Sequence, residues 1–204
     1  MTATSAGAPV GCSADASIPG LLARDLDAGF AALFRGYRDV VFSTALRVCG
    51  GWADAEDVTA EAFLRAYRAL CGYDRDRLAG LEPRAWLLTI LLNLWRNGHR
   101  SATRRPTAVP LEQADDPVDT REGAQAVAER RETARELAVA LQRLPRDQRV
   151  AVILRHVSGL SIAEIAVVLG CPQGTVKSHI SRGLSRLRAL RAPTVQEEVP
   201  HADG

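Results

Sequence analysis

Between Cys171 and Ala192 stand five basic residues, Lys177, Arg182, Arg186, Arg188 and Arg191, and no acid. Lys177 is the only lysine in the chain. Together with Gln173, Thr175, Ser178, His179 and Ser181, these side chains offer hydrogen-bonding groups and one sign of charge along a single segment. That combination suits phosphate contact and base-edge readout in a duplex groove. The spacing says what must hold them. Val176, Ile180, Leu184 and Leu187 recur at helical intervals, so the segment is a helix with one apolar and one basic side. Upstream, Ser161 followed by Glu164 is a capping-box signature, and Ile162, Ile165, Ala166 and Leu169 give a short helix its apolar face. Gly170 suits the left-handed end of that helix, and Pro172 suits the first turn of the next. Ser161 to Arg188 therefore reads as a helix-turn-helix whose second helix reads DNA. An interfacial membrane helix fits less well, because the apolar stripe lacks Trp or Phe.

A second set of polar groups lies in the first half of the chain. Asp54, Glu56 and Asp57 open an amphipathic helix, where they complement its positive end, and Glu61 and Arg65 follow on it. A later helix, starting after Pro83, carries Arg84, Asn93, Arg96, Arg100, Arg104 and Arg105 beside an apolar side of Trp86, Leu87, Ile90, Leu91 and Leu94. Arginines around an amide can track phosphates and bond a base edge.

The elements that position these groups are helical throughout, with no strand-like alternation between them. Three helical patterns fill residues 26–105: one through Phe30, Leu33, Phe34, Tyr37 and Val41 that stops at Gly50-Gly51, one from near Asp54, and one after Pro83. Residues 106–127 interrupt the pattern; their first part holds three prolines and five acids against one arginine, so a flexible acidic linker is expected. Helical spacing resumes over residues 128–192, with a helix from Arg146 to Val157 leading into the helix-turn-helix. The expected fold is all-α: two small helical domains on an acidic linker, flanked by disordered tails over residues 1–25 and 193–204.

Composition narrows the chemistry. The chain has 204 residues, is 47% hydrophobic and carries a net charge of +2 that hides segments of opposite sign. Cys12, Cys49, Cys71 and Cys171 form no CxxC pair, and the four histidines add no ligand spacing, so no metal or cofactor is expected and the thiols read as reduced. Residues 1–25 lack the basic start and apolar stretch of a signal peptide, and the longest apolar run, Trp86 to Trp95, is broken by Thr89 and Asn93. A cytoplasmic protein without membrane insertion is expected. No phosphate-cradling glycine loop or nucleophile-base pair stands out, so an enzyme is not expected.

Three stretches carry a family resemblance: DAEDVTAEAFLRAYRAL (Asp54 to Leu70), WLLTILLN (Trp86 to Asn93) with Arg100, and LPRDQRVAVILRHVSGLSIAEIAVVLGCPQGTVKSHISRGLSRLR. In order and spacing they resemble the bacterial sigma factors of the extracytoplasmic-function (ECF) group, small sigma-70 relatives that retain regions 2 and 4. The resemblance implies binding to core RNA polymerase and promoter-specific initiation. Residues 26–105 would hold a coiled coil on the largest catalytic subunit, with Asp54, Glu56, Asp57, Glu61 and Arg65 as polar contacts. They would also melt the −10 element, with Asn93 at the unpaired base, Arg84, Arg96, Arg100 and Arg104 on phosphates, and the loop Cys71 to Leu81, with Tyr73 and Arg75, as the other wall of the base pocket. Trp86 matches a family tryptophan, although its place among Leu87, Ile90 and Leu91 favours core packing over stacking. Residues 128–192 would dock near the β flap and read the −35 element through Gln173, Thr175, Lys177, Ser178, His179, Ser181 and Arg182. An anti-sigma factor is the implied regulator. Ala60, Asn97 and His179 depart from the residues frequent in the family, and His179 replaces a bidentate arginine fork by a single donor. The rival reading is a helix-turn-helix regulator that binds DNA without polymerase and uses its first half for dimerisation or sensing.

Overall fold

The computed structural model describes residues 17–102 and 136–191, and every regular element among them is a helix. The chain order is α1 (Ser17–Leu22), α2 (Leu26–Cys49), α3 (Trp52–Leu70), α4 (Arg75–Ala79) and α5 (Pro83–Ala102), then a helical stretch over residues 136–142, then α6 (Arg146–His156), α7 (Ile162–Leu169) and α8 (Gln173–Arg191). The linker expected over residues 106–127 lies outside the described residues.

Local signals account for the helix ends. Asp25 caps α2, its Oδ1 accepting from the Ala28 N–H at 3.0 Å, and Gly50 closes it in the left-handed region at φ 84°, its N–H donating to the Leu46 carbonyl. This is the stop expected at Gly50-Gly51. α3 starts at Trp52, slightly ahead of Asp54, and buries Ala55, Ala62 and Ala66 with Phe63 and Leu70. The small residues let α2 lie close, and Phe63 meets Phe30 and Phe34 edge-on. α5 completes the layer with Leu87, Leu88, Leu91, Leu92 and Trp95 buried.

Two short helices depart from expectation. Of the loose tail expected over residues 1–25, residues 1–16 lie outside the described residues, and the rest is ordered: α1 packs on α2 with Ile18 and Leu22 buried. The loop expected from Cys71 to Leu81 contains α4, capped by Asp74, whose Oδ1 accepts from the Arg77 N–H at 2.8 Å. Both helices are too short for a periodic signal, and tertiary burial sustains them.

The two halves pack against each other, α2 on α6 and α5 on α7. The Thr44 hydroxyl donates to the Val40 carbonyl at 2.7 Å, so at 2.9 Å it must accept the proton of Ser158, and both side chains are buried. Gln142 Nε2 donates to the Arg47 carbonyl at 2.9 Å, while its Oε1 accepts from Arg149. The Arg146 guanidinium lies 4.2 Å from the centre of the Trp95 ring. Burial, with Arg146 beside it, lowers the pKa of the Arg149 guanidinium.

Candidate nucleic-acid interface

The helix-turn-helix is built as its residues dictate. Glu164 N–H donates to Ser161 Oγ at 3.2 Å and Ser161 N–H donates to Glu164 Oε2 at 2.7 Å, so the capping box is closed in both directions. At the other end of α7, Gly170 takes φ 65°; its N–H reaches the Val167 carbonyl at 3.2 Å and the Cys171 N–H reaches Ala166 at 3.1 Å. That closure turns the chain into α8. Val176, Ile180, Gly183 and Leu187 are buried against the other helices of this half, with Leu184 half-buried beside them.

On α8 the expected DNA contacts divide. Gln173, Lys177, Ser178, Ser181 and Arg182 are exposed, whereas Thr175 and His179 are half-buried. Lys177, Ser181 and Arg188 line one flank, a shallow groove of about 310 Å³ floored by Ile162, Ile180 and Leu184. Ser178 and Arg182 project from the opposite flank, as 3.6 residues per turn requires. The Nδ1 of His179 is buried and has no hydrogen-bond partner among the described residues, so only its other nitrogen can face a ligand. Arg186, free in the sequence reading, donates from Nη1 to Oε1 of the buried Gln148 at 2.9 Å and ties α8 to α6.

α5 sorts its polar residues as well. Asn93 is exposed and Arg96 half-exposed on the side away from the core. Arg84 is not brought to this group. It shares the side of Leu87, Leu88 and Leu91, where its Nη1 donates to the Ser158 carbonyl at 3.4 Å and its guanidinium lies 6.0 Å from the Tyr37 ring centre. Arg104 and Arg105 lie outside the described residues. Trp86 is half-buried against the core, and its exposed edge meets Tyr73 at 6.0 Å and 60°. Arg77 covers the other part of the cluster, 3.7 Å above the Tyr73 ring. The sequence reading named Tyr73 and Arg75 here; the cation on the ring is Arg77, in the first turn of α4, and Tyr73 precedes the cap of that helix, so no helical spacing pairs the two.

On α3, Asp54, Asp57, Glu61 and Arg65 form one outward stripe, while Glu56 falls on its flank. Arg65 Nε donates to Glu61 Oε1 at 2.6 Å, so these two are satisfied by each other. Leu64, 44% exposed, interrupts the stripe, and Phe34, 38% exposed, is a second apolar side chain on the surface of this half. An outward Leu in a polar stripe gives no periodic signal, and the sequence reading missed it. Ala60 and Asn97 are both exposed.

Among the described residues no group of His, Cys, Asp and Glu could hold a metal ion, and no helix is long and apolar enough to cross a membrane.

Comparison with known proteins follows the same division. Residues 33–105 match the family described as sigma-70 region 2, and residues 134–187 match sigma-70 region 4. The fold and site thus define a protein carrying both conserved helical regions of sigma-70 in order. The chain is 34% identical over 146 residues to the ECF RNA polymerase sigma factor EcfG of Rhodopseudomonas palustris, covering 72% of this chain and 76% of that protein. It is 36% identical over 171 residues to the ECF RNA polymerase sigma factor SigE of Mycolicibacterium smegmatis, covering 83% of this chain but only 64% of the relative. Its fold matches CnrH, solved in complex with the cytosolic domain of CnrY, with a TM-score of 0.63, 28% identity, and coverage of 87% of this chain and 97% of that one. The chain belongs to the ECF RNA polymerase sigma factors. The rival expectation of an independent helix-turn-helix regulator is set aside, since its first half is sigma-70 region 2 rather than a sensing domain.

Proposed function

We propose that the protein binds core RNA polymerase and directs initiation at promoters with −10 and −35 elements. The observation that carries this reading is the pairing, on one chain, of the exposed basic face of α8 with the outward Asn93 and Arg96 of α5. α8 enters the major groove of the −35 element, with Ser178 and Arg182 on one flank and Gln173, Lys177 and Ser181 on the other. Asn93 bonds an unpaired −10 base, Arg96 and Arg100 track the strand, and Tyr73, Arg77 and Trp86 form the wall of the base pocket. Arg84 is left out of this set, because it stands on the core side of α5 with Leu87, Leu88 and Leu91, away from Asn93 and Arg96. The stripe of Asp54, Asp57, Glu61 and Arg65, with Leu64 as its apolar centre, meets the polymerase coiled coil, and region 4 docks near the β flap. The phosphodiester chemistry belongs to the polymerase. Control by an inhibitory protein is part of the proposal; CnrH, of the same fold, was captured with a protein partner.

Run-off transcription of a genomic fragment library by purified core polymerase, with and without the protein, tests the reading. Protein-dependent starts that share two spaced elements are expected. Specific DNA binding by the free chain, with no protein-dependent start, refutes it.

A further inference from the structure

α1 lies ahead of the residues that match sigma-70 region 2, yet its principal packing is against helices of that half. Its principal neighbours are α2 and α4, and α1 is in turn the principal helical neighbour of α4. α4 has five residues and one buried side chain, Leu78, so it cannot hold its place alone. α1 has six residues and is fixed by α2. Gly29 of α2 permits that contact, because a Cβ there would stand 2.6 Å from both N and Cα of Leu22, far inside contact distance. Ile18 reaches along α2 to Gly36, where a Cβ would sit 3.5 Å from its Cδ1. The long α2 thus sets α1, and α1 sets α4. Arg77 projects from α4 onto Tyr73, and Tyr73 meets Trp86, on the outward side of α5 near Asn93.

We propose that α1 is the brace of the base-capturing loop: Ile18 and Leu22 are positioning residues that fix α4, and with it Arg77 and Tyr73, against Trp86 for recognition of the unpaired −10 base. The proposal rests on the reading of this cluster as the −10 pocket. It assigns the helix no contact with DNA or polymerase. Its loss therefore changes −10 discrimination and leaves holoenzyme assembly and −35 duplex binding in place.

The experiment uses holoenzyme formed from core polymerase and the full chain. The probe is a fluorescein-labelled non-template −10 oligonucleotide from the strongest start found by run-off transcription, together with versions carrying single base changes. Leu22→Ala and Gly29→Ala are expected to lower discrimination between cognate and changed bases roughly five- to hundredfold, the range set by the loss of one stacked base. Tyr73→Ala and Arg77→Ala should do the same, Leu22→Met should restore discrimination, and affinity for core polymerase should not move. If the Tyr73 and Arg77 variants lose discrimination while assembled Leu22→Ala and Gly29→Ala holoenzymes keep it, the brace is refuted and the pocket stands. If none of the four loses it, the pocket reading fails and takes the brace with it. Should Leu22→Ala fail to assemble, Ile18→Ala, which trims only the outer end of α1, decides by the same criterion.

Discussion

Gly183→Ala in the recognition helix sets two effects of opposite sign against each other. Replacing glycine by alanine inside a helix is worth about 1 kcal/mol in propensity. At this site, however, a Cβ would stand 2.7 Å from Val152 Cγ2 and 3.3 Å from the Gln148 carbonyl oxygen, and Val152 is itself buried. The favourable carbon–carbon separation is about 3.5–4.0 Å, so either Val152 must leave its place or α8 must move off α6. Overpacking of this kind costs about 1–3 kcal/mol, and with backbone on one side the retreat is restricted. That places the cost in the upper part of the range, so the steric effect wins by about 1–2 kcal/mol, with a fall in Tm of roughly 2–4 °C for each kcal/mol in a chain of this size. Gly174 supplies the control in the same helix, since a Cβ there meets nothing within 4 Å, and Gly174→Ala should be neutral or stabilising. Urea unfolding of both variants, with −35 duplex binding alongside, is the assay. The displaced helix pulls Arg186 from Gln148, so binding should weaken with stability. A Gly183→Ala protein as stable as the parent would refute the close approach of α8 to α6.

The −35 reading predicts that Lys177→Ala or Arg182→Ala weakens promoter binding by about 1–3 kcal/mol for a base contact, or lowers the salt slope by about one for a phosphate contact; unchanged footprints across salt concentrations would sink it. Ser161→Ala opens the capping box of α7 and should cost about 0.5–2 kcal/mol in denaturant unfolding, an unaltered midpoint arguing against the closed box. Burial first, and Asp54 second, push the Cys49 thiol up to about 12 against the pull of Arg149, so iodoacetamide at about pH 8 should modify exposed Cys71 and spare Cys49 until the chain unfolds. With the unfolded thiol at 9.0, the folded chain holds the extra proton between these two values, and stability should fall as pH rises through that window; early labelling of Cys49 would refute its burial. Thr44→Val and Ser158→Ala should each cost about 1–3 kcal/mol while the double variant costs little more than one of them, and additive losses would mean the hydroxyls are not paired in solution.

Legibility in the sequence followed the range of the interaction. The capping box, Gly170 and Pro172 act within a few residues, and α7, α8 and their turn could be read from them directly. So could the stop of α2 at Gly50. α1 and α4 are a single turn or little more, too short for the spacing of Ile18, Leu21 and Leu22, or for Leu78 alone, to stand out from a loop, and it is their buried partners that hold them. Arg84 was assigned by charge to the −10 face, although its spacing of three, four and seven residues from Leu87, Leu88 and Leu91 already placed it on the core side. Gln148 and Arg186 are 38 positions apart, and Thr44 and Ser158 are 114 apart, so only the fold could pair them.

The boundary between the halves adds polar contacts to an apolar core that runs through both. Within region 2, α2, α3 and α5 meet through Leu, Ala and aromatic side chains, whose separation would expose apolar surface. Across the boundary the polar contacts are a hydroxyl pair, two bonds to backbone carbonyls, and arginines over Trp95. Water can replace each partner, and a neutral hydrogen bond is worth only about 0.5–1.5 kcal/mol net. Elements centred on positions −10 and −35 lie about 25 base pairs apart, roughly 85 Å of duplex at ~3.4 Å per pair, whereas here α5 and α7 are in contact. A chain that reads both elements must therefore part its halves.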